Sequence, residues 1–313
     1  MVSETRGTMK DVVVCALTYR RPEGLARLLR ALALLTVPEQ ARDLSIVIVD
    51  NDPNGSGGAV VEEHRATVPF PIQYCVEPRR GIATARNRAI AEAGDTSTVV
   101  FIDDDEWPEP DWLVQLLATM ERTGADVVTG PVLPVFEDGA PGWVVRGGFF
   151  DRPRFNDGAP ITWATSSSVA IRTSVLGDDP FDARFNLTGG EDTHLFQRLR
   201  LAGATIVWAD HAVVHELIPT TRTTPSWLIR RQYRRGQTLS TCLVLLEDGM
   251  ARKCKRLLRA TVEVGSGLAI AATSVIKGRV AMVRGAQRVA FGSGLVTGLF
   301  GAHTVEYATV HGR

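Results

Sequence analysis

The run Thr98-Val99-Val100-Phe101-Ile102-Asp103-Asp104-Asp105 decides how this chain folds. Its first five residues are apolar or β-branched, which suits a strand buried on both faces, as in parallel sheets covered by helices. Three carboxylates follow at once. Upstream, Asp11–Leu17, Leu44–Val49 and Ile72–Val76 repeat the short apolar pattern, and helical spacing over Gly24–Leu35, Ala59–Ala66 and Gly81–Glu92 alternates with it. Downstream, a helix is expected over Trp112–Arg122, a strand over Asp126–Gly130 and a loop from Pro134 to Asp157. A strand over Ala164–Ile171 and a helix over Glu191–Ala202 complete the pattern. Such alternation predicts an α/β fold: an open, mostly parallel sheet with right-handed crossovers and helices on both faces. Ligands of these sheets bind beyond the carboxyl ends of the strands, where Thr18, Asp50, Asp103 and Asp105 stand.

Three adjacent carboxylates at the end of a buried strand repel one another unless a cation sits among them. A hard divalent ion, bound by one or two carboxylates and by phosphate oxygens, meets that need. Alternation puts Asp103 and Asp105 on one side and Asp104 on the other. The competing reading is a solvated acidic turn capping the next helix. A second acidic site is Gly189-Gly190-Glu191-Asp192, at the start of the last predicted helix. Glycines there permit close approach of a ligand, and the helix dipole favours carboxylates in the first turn. A plain helix cap fits these residues, and so does a general base that deprotonates a hydroxyl.

The 313 residues carry no net charge, but the charge is unevenly divided. From Arg230 to Arg313 there are 14 Lys and Arg against 4 Asp and Glu, whereas residues 1–229 hold 21 basic and 31 acidic side chains. The tail contains uncharged stretches of 13 residues (264–276) and 17 residues (289–305), each flanked by Lys and Arg. Both are shorter than the ~20 residues needed to cross a bilayer. A helical hairpin at an anionic membrane surface and a helical packing or dimerisation subdomain are the two readings. The N-terminus has no apolar h-region, and Cys15, Cys75, Cys242 and Cys254 form no C-x-x-C pair. A reducing, cytosolic setting is the expectation, without a nucleic-acid partner.

Taken together, Thr18-Tyr-Arg-Arg-Pro22, Asp50-Asn51, Gly81-Ile-Ala-Thr-Ala-Arg86-Asn87, Phe101-Ile-Asp103-Asp-Asp105 and Gly189-Gly-Glu191-Asp192 resemble, in order, the motifs of glycosyltransferase family 2. The likeness is greatest to its succinoglycan-biosynthesis branch and spans roughly residues 10–240. The resemblance implies a GT-A type, Rossmann-like domain over residues 1–240, with a nucleotide-binding half to about residue 130 and an acceptor half from 131 to 240. Residues 241–313 would form the helical basic and apolar tail. It also implies an inverting transfer of one sugar from a nucleotide-sugar, expected to be a UDP-sugar, to a saccharide or lipid-linked acceptor at the inner face of the cell membrane. Thr18 and Asp50 would line the base pocket, Arg86 would lie near the base and diphosphate, and Asp103 would contact the ribose. Asp105 would hold Mg²⁺ or Mn²⁺, and His215 matches a position near the diphosphate or metal. Asp192 matches the catalytic base, with Glu191 beside it to help bind the acceptor. Processive relatives carry Gln-x-x-Arg-Trp; the nearest match is Gln232-Tyr-Arg-Arg235-Gly236, in which Arg235 would assist the diphosphate and the tryptophan is missing.

Three rivals remain open. A nucleotidyltransferase also uses metal carboxylates on an α/β sheet, but Thr18-Tyr-Arg-Arg-Pro22 lacks the glycines of a phosphate loop. A dinucleotide-dependent oxidoreductase would need the third glycine that Gly55-Ser-Gly-Gly58 lacks. A non-catalytic scaffold tethered by the basic tail is the third.

Overall fold

The computed structural model describes residues 10–37, 41–247 and 249–305. Residues 1–9, read above for a leader, lie outside the described residues. The strands are β1 (Lys10–Thr18), β2 (Ala41–Asp50), β3 (Ile72–Val76), β4 (Thr98–Asp103), β5 (Glu106–Pro108), β6 (Val127–Thr129), β7 (Val132–Phe136), β8 (Val169–Arg172), β9 (Ile206–Trp208) and β10 (Val214–Ile218). The helices are α1 (Pro22–Leu32), α2 (Gly58–His64), α3 (Ile82–Ala93), α4 (Trp112–Thr123), α5 (Gly142–Arg146), α6 (Glu191–Leu201), α7 (Pro225–Leu246), α8 (Met250–Ala272) and α9 (Ser274–Leu299).

Seven strands form one sheet in the order β3-β2-β1-β4-β8-β6-β9. The strands β3, β2, β1 and β4 run parallel, as the strand–helix alternation requires. Period-2 side-chain alternation divides them between two cores. Val12, Val14, Ala16, Val100 and Ile102 pack with Leu25, Leu28, Leu29 and Leu32 of α1 and with Trp112 and Leu116 of α4. Val13, Cys15, Val99 and Phe101 pack on the opposite face with Ala85 and Ala89 of α3 and Leu195 and Phe196 of α6. The α/β expectation, with helices on both faces, holds.

Two local expectations do not. The strand expected over Ala164–Ile171 pairs only from Val169, and β8 is antiparallel to both β4 and β6. Ser168 breaks the extended run with a φ of 55°, its backbone oxygen accepting from the Thr129 hydroxyl at 2.9 Å. The stretch from Pro134, expected to be loop, holds most of β7 and all of α5, because β7 pairs with β10 in a separate three-stranded sheet, β5-β10-β7. Non-local partners decide such short strands, and local pattern does not register them.

In the tail, α9 packs against both α7 and α8. Glycines allow the approach: a Cβ at Gly236 or Gly294 would collide with the backbone oxygen of Phe291 or Tyr233, and one at Gly292 would lie 2.8 Å from the Ala260 oxygen. Helix α7 runs through residue 240 without a break, so the chain passes into the tail inside one helix. Among the described residues no helix is long and apolar enough to cross a membrane.

Candidate active site

A cavity opens where β1, β2 and β4 end side by side, with Thr18 opposite Asp50 and Leu17 opposite Asp103 in the ladders. Its walls include Thr18, Arg21, Asn51, Arg80, Arg86, Asp103, Asp104, Asp105, Asn186, Glu216 and Arg222. Parallel neighbours present their carboxyl ends together, so residues remote in sequence converge there.

Each of the three aspartates meets an arginine, and Arg21 is shared by Asp104 and Asp105. Asp104, on the α1 face, accepts from the Thr18 hydroxyl at 2.9 Å and from Arg21 Nη1 at 2.9 Å. Asp105 lies 3.1 Å from Arg21 Nη1 and 3.2 Å from Arg222 Nη2. Asp103, on the α3 and α6 face, accepts from Arg86 Nη2 at 3.2 Å. Burial pushes the Asp103 carboxyl up to about 6 against the opposing pull of Arg86. Burial likewise raises Asp104, opposed by Arg21. Glu106, fully buried behind them, is raised well above the carboxylate range by burial and by the charge of Asp103. This group of acids, crowded at the strand end, resists full ionisation, which is the condition that a bound cation relieves.

Arg86 ties this wall to the second acidic site. Its Nη1 donates to Glu191 Oε1, so one buried guanidinium joins β4 to the start of α6. Burial raises the Glu191 carboxyl to about 7, with Arg86 pulling the other way. Asp192 follows, half-buried, its Oδ1 accepting from Thr193 N at 2.5 Å. It does not line the cavity itself and stands one residue beyond the pair that does the bridging. Gly190 is required just before it: φ is 96°, and a Cβ would strike the Thr238 side chain of α7. Asn51 fixes the opposite rim, donating to the Glu77 and Arg79 oxygens at 2.8 and 2.9 Å and accepting from Gly81 N at 2.8 Å.

Residues 12–178, just over half the chain, match the family model of glycosyl transferase family 2. The chain belongs to glycosyltransferase family 2. A second model, glycosyl transferase family group 2, matches residues 98–300. The chain is 37% identical over 302 residues to the succinoglycan biosynthesis protein ExoM of Rhizobium meliloti, covering 95% of this chain and 94% of that one. Among solved structures, it is similar to the mannosyltransferase PcManGT of Pyrobaculum calidifontis in complex with GDP-Man and Mn²⁺ (TM-score 0.62, 18% identity, 94% of this chain and 88% of that one). It is also similar to S. aureus TarS 1–349 in complex with UDP-GlcNAc (TM-score 0.54, 15% identity, 97% and 95%). These likenesses carry the GT-A fold.

Against this family pattern, Thr18, Arg86, Asp103 and Asp105 line the cavity, and the five other expected residues, Asp50, Glu191, Asp192, His215 and Arg235, do not. Asp50 is fully buried, and its oxygens accept from Asp52 N at 2.9 Å, Gly57 N at 2.6 Å and Tyr74 Oη at 2.9 Å. Its side chain falls on the α1 and α2 face, so it shapes the loop after β2 and leaves the cavity rim to Asn51. Arg235 is exposed on α7, outside the cavity. His215, expected near the diphosphate or metal, points away from the cavity. Its Nε2 lies 2.6 Å from Glu109 Oε1, and its ring stacks on Trp107 at 5.6 Å. In β10 the fully buried Val214 and Ile218 define the inner face, and alternation places Glu216 on that face and His215 on the other. Glu216 is the β10 residue that reaches the site: it accepts from Arg222 Nη1 at 3.4 Å and from Arg152 Nη2 at 2.7 Å.

No group of three or more His, Cys, Asp or Glu among the described residues is placed to hold an ion unaided. The wall nonetheless suits a divalent ion, because Mg²⁺ and Mn²⁺ in nucleotide sites take one or two carboxylates and complete their shell with phosphate oxygens and water. Asp103 and Asp105 both face the cavity, and arginines balance their charge there.

Proposed function

We propose that this chain is a metal-dependent, inverting family 2 enzyme that moves a single sugar from a nucleotide-sugar, with a UDP-sugar as donor, to an acceptor hydroxyl. The acceptor is a lipid-linked saccharide in cell-surface polysaccharide synthesis, met at the anionic inner face of the cell membrane. One observation carries the reading: Arg86 bridges Asp103 on the cavity wall and Glu191 beside Asp192. The donor-side acids and the base thus belong to one electrostatic unit. The names of similar proteins add support, since they include a succinoglycan biosynthesis protein and structures complexed with UDP-GlcNAc or with GDP-Man and Mn²⁺.

In this reading the nucleotide lies across the carboxyl ends of β1 and β2, with Thr18 and Asn51 on its rim and Asp103 toward the ribose. Asp105, with Asp103, holds Mg²⁺ or Mn²⁺, which when bound neutralises charge developing on the departing diphosphate. Arg21, Arg86 and Arg222 supply further positive charge around that leaving group. Asp192 removes the proton from the acceptor hydroxyl, whose oxygen attacks the anomeric carbon as the bond to the diphosphate oxygen breaks. One displacement inverts the anomeric centre. Transfer of a single unit is supported by Gly236, where a tryptophan would collide with the Phe291 backbone.

Asp192→Asn tests the assignment. Donor affinity by calorimetry should persist while turnover falls by about 10²–10⁴, the usual contribution of a general base. Wild-type turnover in that variant, or an α- to α-configured product by NMR, would sink the reading.

A further inference from the structure

The outer surface of the tail has a composition that a solvated helix does not need. Along α8, the residues against α9 are Ala260, Val264, Gly267 and Ala271, in contact with Gly285, Val289 and Gly292. On a 3.6-residue helix the opposite side carries Leu258, Val262, Gly265 and Ala269, where water-facing positions are ordinarily polar. Leu258 and Val262 are exposed, and among the described residues the helix that α8 packs against is α9, on its other side. The stripe ends at the turn into α9, where Val275 and Ile276 are 93% and 91% exposed. Burying these two adjacent β-branched side chains would gain about 25 cal/mol for each Å² of apolar surface removed from water.

The charge around this stripe is of one sign. Between residues 249 and 305 there are nine Lys and Arg and a single acid, Glu263, which lies 3.8 Å from Arg288. Lys255 and Lys277 are exposed beside the stripe and the tip, and Arg252 and Arg259 flank it. An apolar strip ending in an exposed tip, with a basic rim and almost no acid, complements an anionic lipid surface. A second copy of the same basic strip would instead bring like charges together.

We infer that the outer face of α8 and the Val275-Ile276 tip form the surface by which this enzyme docks on an anionic bilayer. This deepens the proposed function, on which it rests for the lipid-linked acceptor. The tip enters the acyl boundary, and the lysines and arginines engage phosphate headgroups.

The test is flotation of the full chain with phosphatidylcholine vesicles, with and without phosphatidylglycerol, for wild type, V275D/I276D and K255E/K277E. Circular dichroism and thermal melts check that both variants fold, as expected for fully exposed positions. The wild type should float with phosphatidylglycerol vesicles only, and less so at high salt. V275D/I276D should partition at least about tenfold more weakly, because several methyl groups leave the acyl boundary and two carboxylates replace them. K255E/K277E should lose binding as well. A wild type that ignores anionic vesicles, or folded variants that float as well as it does, would overturn the inference. So would a wild-type dimer in ultracentrifugation that V275D/I276D dissolves, with no vesicle binding. Donor hydrolysis without vesicles is read in parallel and should be equal in all three proteins. Its absence in the wild type would count against the proposed function and leave the flotation result intact.

Discussion

Arg86 and Glu191 meet in the interior across 105 residues of sequence, the guanidinium donating to the carboxylate while its other arm reaches Asp103 at 3.2 Å. Both partners are almost wholly buried. A buried ion pair gains little over an apolar pair of the same volume, but removing one member leaves a stranded charge. This pair therefore serves to hold β4, α3 and α6 in fixed relation at the mouth of the cavity.

Arg86→Met should destabilise the fold by about 3–5 kcal/mol at pH 8, the cost of orphaning buried carboxylates. The loss should shrink at pH 5, where Glu191 and Asp103 take up protons. Urea unfolding at the two pH values checks both statements, and an equal loss at both would show that Arg86 acts through packing alone.

Glu191 makes stability depend on pH in a defined direction. Its carboxyl is raised from 4.5 to about 7 in the folded chain, so the native state binds more protons than the unfolded state in that window. Stability contributed by the protonated group is complete below the unfolded value and is lost as pH rises toward the folded value. Melting temperatures should accordingly fall between pH 4.5 and 7, and Glu191→Gln should flatten that slope. A wild-type melting curve rising over this window in step with the variant would contradict the burial argument.

The two residues expected at the metal, Asp105 and His215, can be tested apart. Asp105→Ala should abolish the Mn²⁺-dependent part of donor affinity measured by calorimetry. His215→Phe should leave it unchanged, because the imidazole faces Glu109 and Trp107. A loss of metal dependence in His215→Phe would restore the histidine to the site.

Close helix packing in the tail is set by glycine. In Gly294→Ala the added methyl meets the Tyr233 carbonyl, and overpacking of this kind costs about 1–3 kcal/mol. Urea unfolding of the purified variant measures it. A neutral result would mean that α7 and α9 separate without penalty.

Some site residues were legible because their signals are local. The acids Asp103 to Asp105 close a buried strand, and Glu191-Asp192 follow a glycine pair at a helix start. Arg222 gave no such sign, and Arg21, inside the Thr18–Pro22 motif, carried no role there: each meets Asp105 only in the folded chain. Glu216 was within reach of sequence reading, since apolar Val214 and Ile218 frame an inward face on which alternation places it. The resemblance drew attention to the adjacent His215, whose side chain lies on the other face of β10. Asp50 shows the converse. Its position at a strand end was read properly, but the loop after β2 folds back to take up its oxygens with Asp52 N, Gly57 N and Tyr74 Oη.

The sequence by itself determined the parallel half of the sheet, its covering helices and the acidic strand end, because hydrophobic period and turn chemistry act over a few residues. Tertiary structure alone decided the antiparallel β8, the small sheet of β5, β10 and β7, and which arginine meets which acid. Those choices depend on partners scores of residues away, whose burial and charge compensation exist only once the chain has closed around them.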